Sequence, residues 1–359
     1  MTEETFSTNS HLSVAMTTEL DDVTQTTGGN ATTPSSSDRT EIVFRCAVVI
    51  IGIVGAVANG LVLYAMVASK QHKKQLLIFN QNIFDLCCCL ILVITYILKL
   101  CNIHLTGALG YWLCMLLISE NLLWLTVNGS VMNLLSITIE RYLKVVYSAL
   151  SKKYLRTWVI YVAIAFIWIS AIIFNMAVVF STSRVIDGVC YGYTFWASRM
   201  TATVYGIWHF VSFYVIVLIG FVFCYGHILI VIRRQAKVMA AHSGSGTAQT
   251  SSNKAQSNVI KTMILVCAFY VITGTPDRIY YLLVNVLSLP HSGSVHYAKT
   301  FIAFFYICTN PFIYATKFDP VRRELARLIV CRKPAVEPAE NVQSVSTRSA
   351  RSAQHAGQK

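Results

Sequence analysis

The sequence predicts an all-α fold: a bundle of seven membrane-spanning helices with a short amphipathic cytoplasmic helix after the last span. Three observations predict it. Seven long apolar stretches run through the 359 residues, the loops between them are polar, and the positive charge of those loops alternates from side to side. The stretches are Ile42–Ala68, Gln75–Leu98, Leu109–Ile139, Thr157–Phe180, Ala202–Ile232, Val259–Val286 and Val295–Thr316. About 20 apolar residues cross a hydrocarbon layer of about 30 Å as a helix. Lipid offers no water to backbone N–H and C=O groups, so each stretch must satisfy its own. Thr157 to Ser183 contains 27 residues with no Asp, Glu, Lys or Arg. A composition that is 55% hydrophobic and 13% charged, with mean hydropathy +0.56, excludes a soluble domain, which would need amphipathic helices to cover these stretches.

Residues 1–41 are rich in Thr and Ser, with Glu3, Glu4, Glu19, Asp21, Asp22 and Asp38, and cannot bury a core. They are expected to form a disordered extracellular tail. Asn30-Ala31-Thr32 is a glycosylation sequon there, whereas Asn128-Gly129-Ser130 falls inside the third span. Met1-Thr2-Glu3 opens no signal peptide, so the first span is expected to act as its own insertion signal. With the amino terminus outside, 22 of the 29 basic residues fall on the cytoplasmic side. The net charge of +13 therefore reads as topology and contact with anionic lipid, not as nucleic-acid binding.

Most of the eleven cysteines lie within spans. Cys114, at the outer end of the third span, and Cys190, in the second outer loop, have the oxidising exposure, with Cys101 as a rival partner. Polar groups in hydrocarbon need a partner or a task. Asn59, Ser130, Asn133 and Asn310 read equally as interhelical glue. Asp85 needs a proton or a bound cation. Pro276 and Pro311 interrupt the sixth and seventh spans and are expected to kink them. Glu140-Arg141-Tyr142 ends the third span, where Glu140 can pair with Arg141 in one arrangement and release it in another.

In order and spacing these residues resemble the rhodopsin-like (class A) G-protein-coupled receptors, from about residue 42 to 331. The resemblance is carried by Asn59-Gly60, Asp85, Glu140-Arg141-Tyr142, Trp168, Tyr225, Pro276 and Asn310-Pro311-Phe312-Ile313-Tyr314. It implies a plasma-membrane receptor, not an enzyme, that binds an extracellular ligand and engages a heterotrimeric G protein. Arg141 and Tyr225 would face the G protein on activation, with Tyr314 as their partner. Asp85, Ser130 and Asn310 would form an allosteric sodium site, the one ion implied in a chain that otherwise calls for no cofactor. The chain also departs from the family pattern. Thr273-Gly274-Thr275-Pro276 lacks the usual tryptophan, whose packing would fall to Phe269 or Tyr270, and Val217 stands where the fifth span usually has proline. Cys114 precedes Arg141 by 27 residues, two more than usual, which implies a bulge.

Asp319 and Pro320 open an amphipathic helix over residues 318–331, with Val321, Leu325, Leu328 and Ile329 opposite Arg322, Arg323 and Arg327, and Cys331 as a palmitoylation candidate. Residues 332–359 read as a disordered tail in which phosphorylated Ser344, Ser346, Thr347, Ser349 and Ser352 would recruit an arrestin. Ala240 to Ser257 reads as a flexible linker. For the ligand, the outer halves supply Glu120, Asn121, Trp124, Trp208, His209, Asp277, Arg278, Tyr281, Tyr297 and Lys299. Both charge signs with aromatics suit a peptide or zwitterion, with an amine or lipid small molecule as the alternative. Mutual pairing of Glu120, Asp277, Arg278 and Lys299 would instead only brace the mouth. A further resemblance, to neuropeptide and especially galanin-like receptors, rests on the Asn-Pro-Phe-Ile-Tyr ending and Arg233-Arg234-Gln235. A transporter or channel using Asp85 and Asn310 is the other class, disfavoured because no internal repeat is visible.

Overall fold

The computed structural model describes residues 36–241, 247–287 and 293–330. Asn30, Cys331 and the tail serines lie outside the described residues. Contacts divide the chain after Val43, and the bundle belongs to the unit from Phe44 onward. Its helices are α1 (Ser36–Ala68), α2 (Leu76–Leu100), α3 (Gly107–Val146), α4 (Thr157–Thr182), α5 (from Arg199–Phe210 through Ile216–Ala241), α6 (Thr247–Leu287), α7 (Gly293–Lys317) and α8 (Asp319–Val330). Helix α1 starts at Ser36, earlier than expected, with Asp38 in the first turn, where a carboxylate favours the helix amino end. The backbone of α5 runs to Ala241 and that of α6 starts at Thr247, so most of the expected linker is helical. Extending an existing helix avoids the cost of nucleation, and Ala248, Gln249, Lys254, Ala255 and Gln256 are good helix formers.

Among the described residues, six helices, α1 to α6, are long and apolar enough to cross a membrane. Helix α4 shows how such a helix is used. Ile167, Ala171, Asn175, Val179 and Thr182 are buried at steps of three and four, while Trp158, Val162, Phe166, Ile169 and Ile173 are exposed on the other side. An apolar face of that extent belongs against lipid. Helix α3 is central: it packs against α2, α4 and α5, while α7 packs against α6, α2 and α8. At Gly129, a Cβ would come within 2.4 Å of the Phe84 ring, so α2 and α3 approach this closely only because the position is glycine.

The expected bulge in α3 is present as a π-helical segment, Cys114–Ile118, followed by Glu120 in the left-handed region at φ 62°. Helix α5 carries a second π segment, Val211–Val215, just before Val217. Around Pro276 the hydroxyls of Thr273 and Thr275 bond the carbonyls of Phe269 (2.7 Å) and Val271, and near Pro311 Thr309 bonds Phe305 (2.8 Å). These hydroxyls bond carbonyls on the amino-terminal side of each proline, not those of Ile272 and Ile307, which the prolines leave without a backbone amide. Between α4 and α5 lies a hairpin, β1 (Arg184–Ile186) and β2 (Val189–Tyr191), antiparallel with Val185 opposite Cys190. Its two-residue turn, Asp187-Gly188, has φ of 50° and 77°, as hairpin turns of this type require.

Candidate functional site

The site is layered. At the outer mouth the Cys114–Cys190 disulfide ties the hairpin to α3, and Cys101 is free and exposed. Tyr193, in the loop after the hairpin, donates its hydroxyl to Asn121 Oδ1 at 3.1 Å. Burial pushes its phenol well above the ordinary tyrosine range, so it remains a neutral donor. Below it, two ion pairs consume most of the charge expected in the pocket. Lys99 Nζ meets Glu120 Oε1 at 2.5 Å, with the Tyr96 hydroxyl donating to the same oxygen at 2.9 Å. Lys299 Nζ meets Asp277 Oδ1 at 2.7 Å.

Arg278 does not join them. It is 4% exposed, with Nη2 donating to Asn128 Oδ1 at 3.3 Å and Nη1 lying 3.2 Å from His209 Nε2. Tyr281 packs on His209 at 5.2 Å, Trp124 on Phe304 at 5.9 Å, and Tyr297 stacks on Phe44 at 4.7 Å. Trp208 turns away from this interior. It is 36% exposed and lines a groove of about 400 Å³ with Met200, Thr201, Val204 and Tyr205. Its position on the outward side of α5, beside Phe174 of α4, takes it out of the expected mouth.

Mid-bundle, Asp85 is fully buried and accepts from Gln81 (3.3 Å), Ser130 (3.0 Å) and Asn310 (3.1 Å). Gln81 also donates to Ser130 and accepts from Asn133 at 2.8 Å. Asn133 accepts from Asn80 at 2.9 Å, and Asn80 accepts from Trp168 at 3.1 Å. One polar chain thus joins α4, α2, α3 and α7. Tyr270 supplies the aromatic bridge where the tryptophan is missing: its hydroxyl donates to the Phe213 carbonyl at 2.9 Å and its ring packs on Tyr306 at 5.5 Å.

At the inner end Arg141 is 6% exposed, donates to Gln75 and lies 3.4 Å from Glu140 Oε2. Glu140 is also held by Lys144 at 2.6 Å. Tyr142 reaches His227 Nδ1 at 3.2 Å, and the Tyr225 hydroxyl sits 3.2 Å from Thr138 Oγ1. Tyr314 is fully buried, and its hydroxyl has no hydrogen-bond partner among the described residues. Asn258 of α6 donates to Asp319 of α8 at 3.0 Å, and Thr262 to the Lys317 carbonyl at 3.3 Å, which ties the inner end of α6 down.

The sequence pattern of the family described as 7 transmembrane receptor (rhodopsin family) matches residues 58–314. The chain belongs to that family. Relatives of this receptor include lysophosphatidic acid receptor 1 of Ovis aries, 27% identical over 259 residues, 67% of this chain and 58% of the relative. Lysophosphatidic acid receptor 1-A of Xenopus laevis is 26% identical over 257 residues, covering 66% of this chain and 61% of the relative. The Homo sapiens receptor 1 is 27% identical, covering 67% and 63%. The match thus spans about three-fifths of the length of these relatives.

Sequence reasoning missed several of the receptor's polar residues. Gln81 lies one helical turn before Asp85, a spacing that puts both on one face, and that was the available signal. Lys99, the one basic residue near the end of the second apolar stretch, signalled a partner for Glu120. Asn128 and Asn175 are amides within apolar spans, and they meet at 3.3 Å. Asp187-Gly188 was a direct hairpin signal.

Proposed function

We propose that the protein is a plasma-membrane receptor, amino terminus outside, that transmits binding of an extracellular ligand to a heterotrimeric G protein. The observation that carries this reading is the inner end of α3. Arg141 is a buried cation held by side chains alone, Glu140 and Gln75, with Tyr225 and Tyr314 in neighbouring elements engaged elsewhere or idle. Ligand binding shifts the bundle between this closed arrangement and one in which α6 swings out and Arg141 is released to the G protein.

In this reading α7 is the seventh span. Its polar residues Lys299, Thr300, Asn310 and Tyr314 are buried, while Val295, Ile302, Phe305 and Phe312 are exposed, so its lower hydropathy reflects an inward polar face. Helix α8 lies on the inner leaflet, with Val321 and Leu325 against the bundle and Arg322, Arg323 and Arg327 toward headgroups.

Asp85, Ser130 and Asn310 would hold an allosteric sodium ion. Their oxygens suit a hard cation, and the buried Asn310 Oδ1 has no donor among the described residues. Bound there, the ion would supply a fixed positive charge beside the carboxylate.

A lipid-like small molecule is the ligand class adopted. The peptide expectation rested on free charge of both signs, and a lysine neutralises each of Glu120 and Asp277. The relatives are named for lysophosphatidic acid, a single-chain lipid.

The test is nucleotide exchange on purified G proteins by the reconstituted receptor, basal and with oleoyl-lysophosphatidate as probe. Arg141→Ala is expected to abolish exchange while the folded receptor persists. Unchanged exchange in the variant, or solute flux through vesicles without any exchange, would overturn the proposal.

A further inference from the structure

We propose that Arg278 is the seat for the anionic head, phosphate or carboxylate, of a single-chain amphiphile, with Asn128 and His209 flanking it. This deepens the receptor reading above and rests on it. The outer half of the bundle holds three basic side chains away from bulk solvent, Lys99, Lys299 and Arg278. Lys99 is answered by Glu120 and Lys299 by Asp277. Arg278 is more buried than either, yet no carboxylate lies within ion-pair distance of it among the described residues. Asp277 precedes it in sequence, but successive residues project about 100° apart around a helix, and that carboxylate is committed to Lys299.

A cation taken out of water with only amide, imidazole and phenol groups around it lacks most of what water gave it. The guanidinium has five donors in a rigid fork, and its bonds here are long, 3.3 Å to Asn128 and 3.2–3.5 Å to His209. A phosphate or carboxylate matches that fork bidentately. Asn128 is fixed from behind, because its Nδ2 donates to Asn175 Oδ1 at 3.3 Å.

The surroundings of Arg278 select what carries the anion. His209 sits among the rings of Tyr205, Phe213 and Tyr281 at 5.0–5.9 Å, so the walls are aromatic. Tyr205 also lines the groove of about 400 Å³ with Met200, Thr201, Val204 and Trp208, which opens on the outer face of α5. The fold thus sets a buried positive charge with no carboxylate partner one aromatic layer, His209 and Tyr205, from an apolar groove, which is the complement of an anionic head with an alkyl chain. A zwitterion would need a free carboxylate for its cationic end, and both nearby carboxylates are taken. Entry requires the outer ends of α5 and α6 to part, where Thr203 Oγ1 holds the Asn285 carbonyl at 3.0 Å.

The experiment is thermal unfolding of the purified full chain in neutral detergent, with four probes: oleoyl-lysophosphatidate, oleate, monoolein and inorganic phosphate. The two anionic amphiphiles are expected to stabilise the wild type saturably, and neutral monoolein and free phosphate are not. In Arg278→Gln the apparent affinity for both amphiphiles is expected to fall at least about 30-fold. The ligand-free midpoint of that variant is expected to hold or rise, because a buried unpaired charge has been removed. Arg278→Lys keeps the charge without the fork and is expected to retain part of the affinity. Equal binding by monoolein, saturable binding of phosphate alone, unchanged affinity in Arg278→Gln, or a ligand-free variant that unfolds earlier would each overturn the proposal. None of these readouts uses a G protein, so they fail independently of the nucleotide-exchange test.

Discussion

The Asp277–Lys299 pair decides whether the charges at the mouth brace the bundle or wait for a ligand. Its two atoms are 2.7 Å apart, and the side chains are 6% and 10% exposed. The pair joins α6, one residue beyond Pro276, to α7. Lys299→Met would leave the Asp277 carboxylate buried without its cation, which costs about 3–5 kcal/mol. For a bundle of this size each kcal/mol moves an unfolding midpoint by about 2–4 °C, so the loss is roughly 6–20 °C. Asp277→Asn/Lys299→Met removes both charges, and a buried pair replaced by neutral groups is often neutral in stability. The double variant should therefore recover most of the loss, with a coupling energy of about 2 kcal/mol or more. The assay is thermal unfolding read by a thiol-reactive dye, since Cys88, Cys89, Cys224, Cys267 and Cys308 are buried in the folded bundle. Additive single effects, or a Lys299→Met protein as stable as wild type, would refute the bracing role. So would a loss of ligand affinity in both singles that the double variant does not restore.

Two further outcomes are expected. Gln81→Leu removes an amide that donates to both Asp85 and Ser130, so sodium should raise the unfolding midpoint more in this variant than in wild type, against choline as the ionic-strength control. An equal response in both proteins would mean the amide does not compete with the ion, and Asp85→Asn should abolish the response altogether. Cys190→Ser opens the tether between the hairpin and α3, 76 residues apart in sequence, at a cost of about 2–4 kcal/mol. Surface expression and the unfolding midpoint should both drop, and a variant unchanged in both would show that the hairpin is held by packing alone.

How much was legible depended on what kind of fact each residue carried. That α4 crosses a membrane was readable because 27 residues without charge have no other solution. The bulge in α3 was readable as a spacing, and it takes the form of Cys114–Ile118 and the left-handed Glu120. Asp85 was readable as a residue needing partners, and Ser130 and Asn310 are among them. Which way a side chain faces was not readable. Trp208 and His209 are neighbours in sequence, yet one lines the outward groove and the other touches Arg278, a difference set by helix rotation against α4 and α6. Pairing was equally hidden: Glu120 looked available for a ligand until Lys99 was brought to it by the fold. Helix α7 shows the limit of hydropathy itself, because its buried polar residues Lys299, Thr300 and Asn310 lower the mean although Val295, Ile302, Phe305 and Phe312 are exposed.

The ties on α6 are unequal along its length, and that inequality determines how it moves. Above Pro276 it is held by the Asp277–Lys299 ion pair, by Arg278 on Asn128 and by Asn285 on Thr203. Near the proline, Tyr270 bonds the Phe213 carbonyl and Thr275 meets the Tyr214 hydroxyl at 2.7 Å. Below it, among the described residues, its hydrogen bonds to α7 and α8 come from Asn258 and Thr262 and are neutral or singly charged. Such bonds contribute about 0.5–3 kcal/mol each, whereas breaking the buried ion pair costs about 3–5 kcal/mol before the other outer contacts are counted. The proline has already removed one backbone bond between the two halves, and the Thr273 and Thr275 hydroxyls both bond carbonyls on its amino-terminal side. The least costly displacement of α6 therefore leaves the outer end seated and swings the inner end away from Asp319 and Lys317. That motion uncovers the neighbourhood of Arg141. The ligand proposed above at Arg278, just above the pivot, would sit where a small change in side-chain contacts has the longest lever arm on the amino-terminal end of α6.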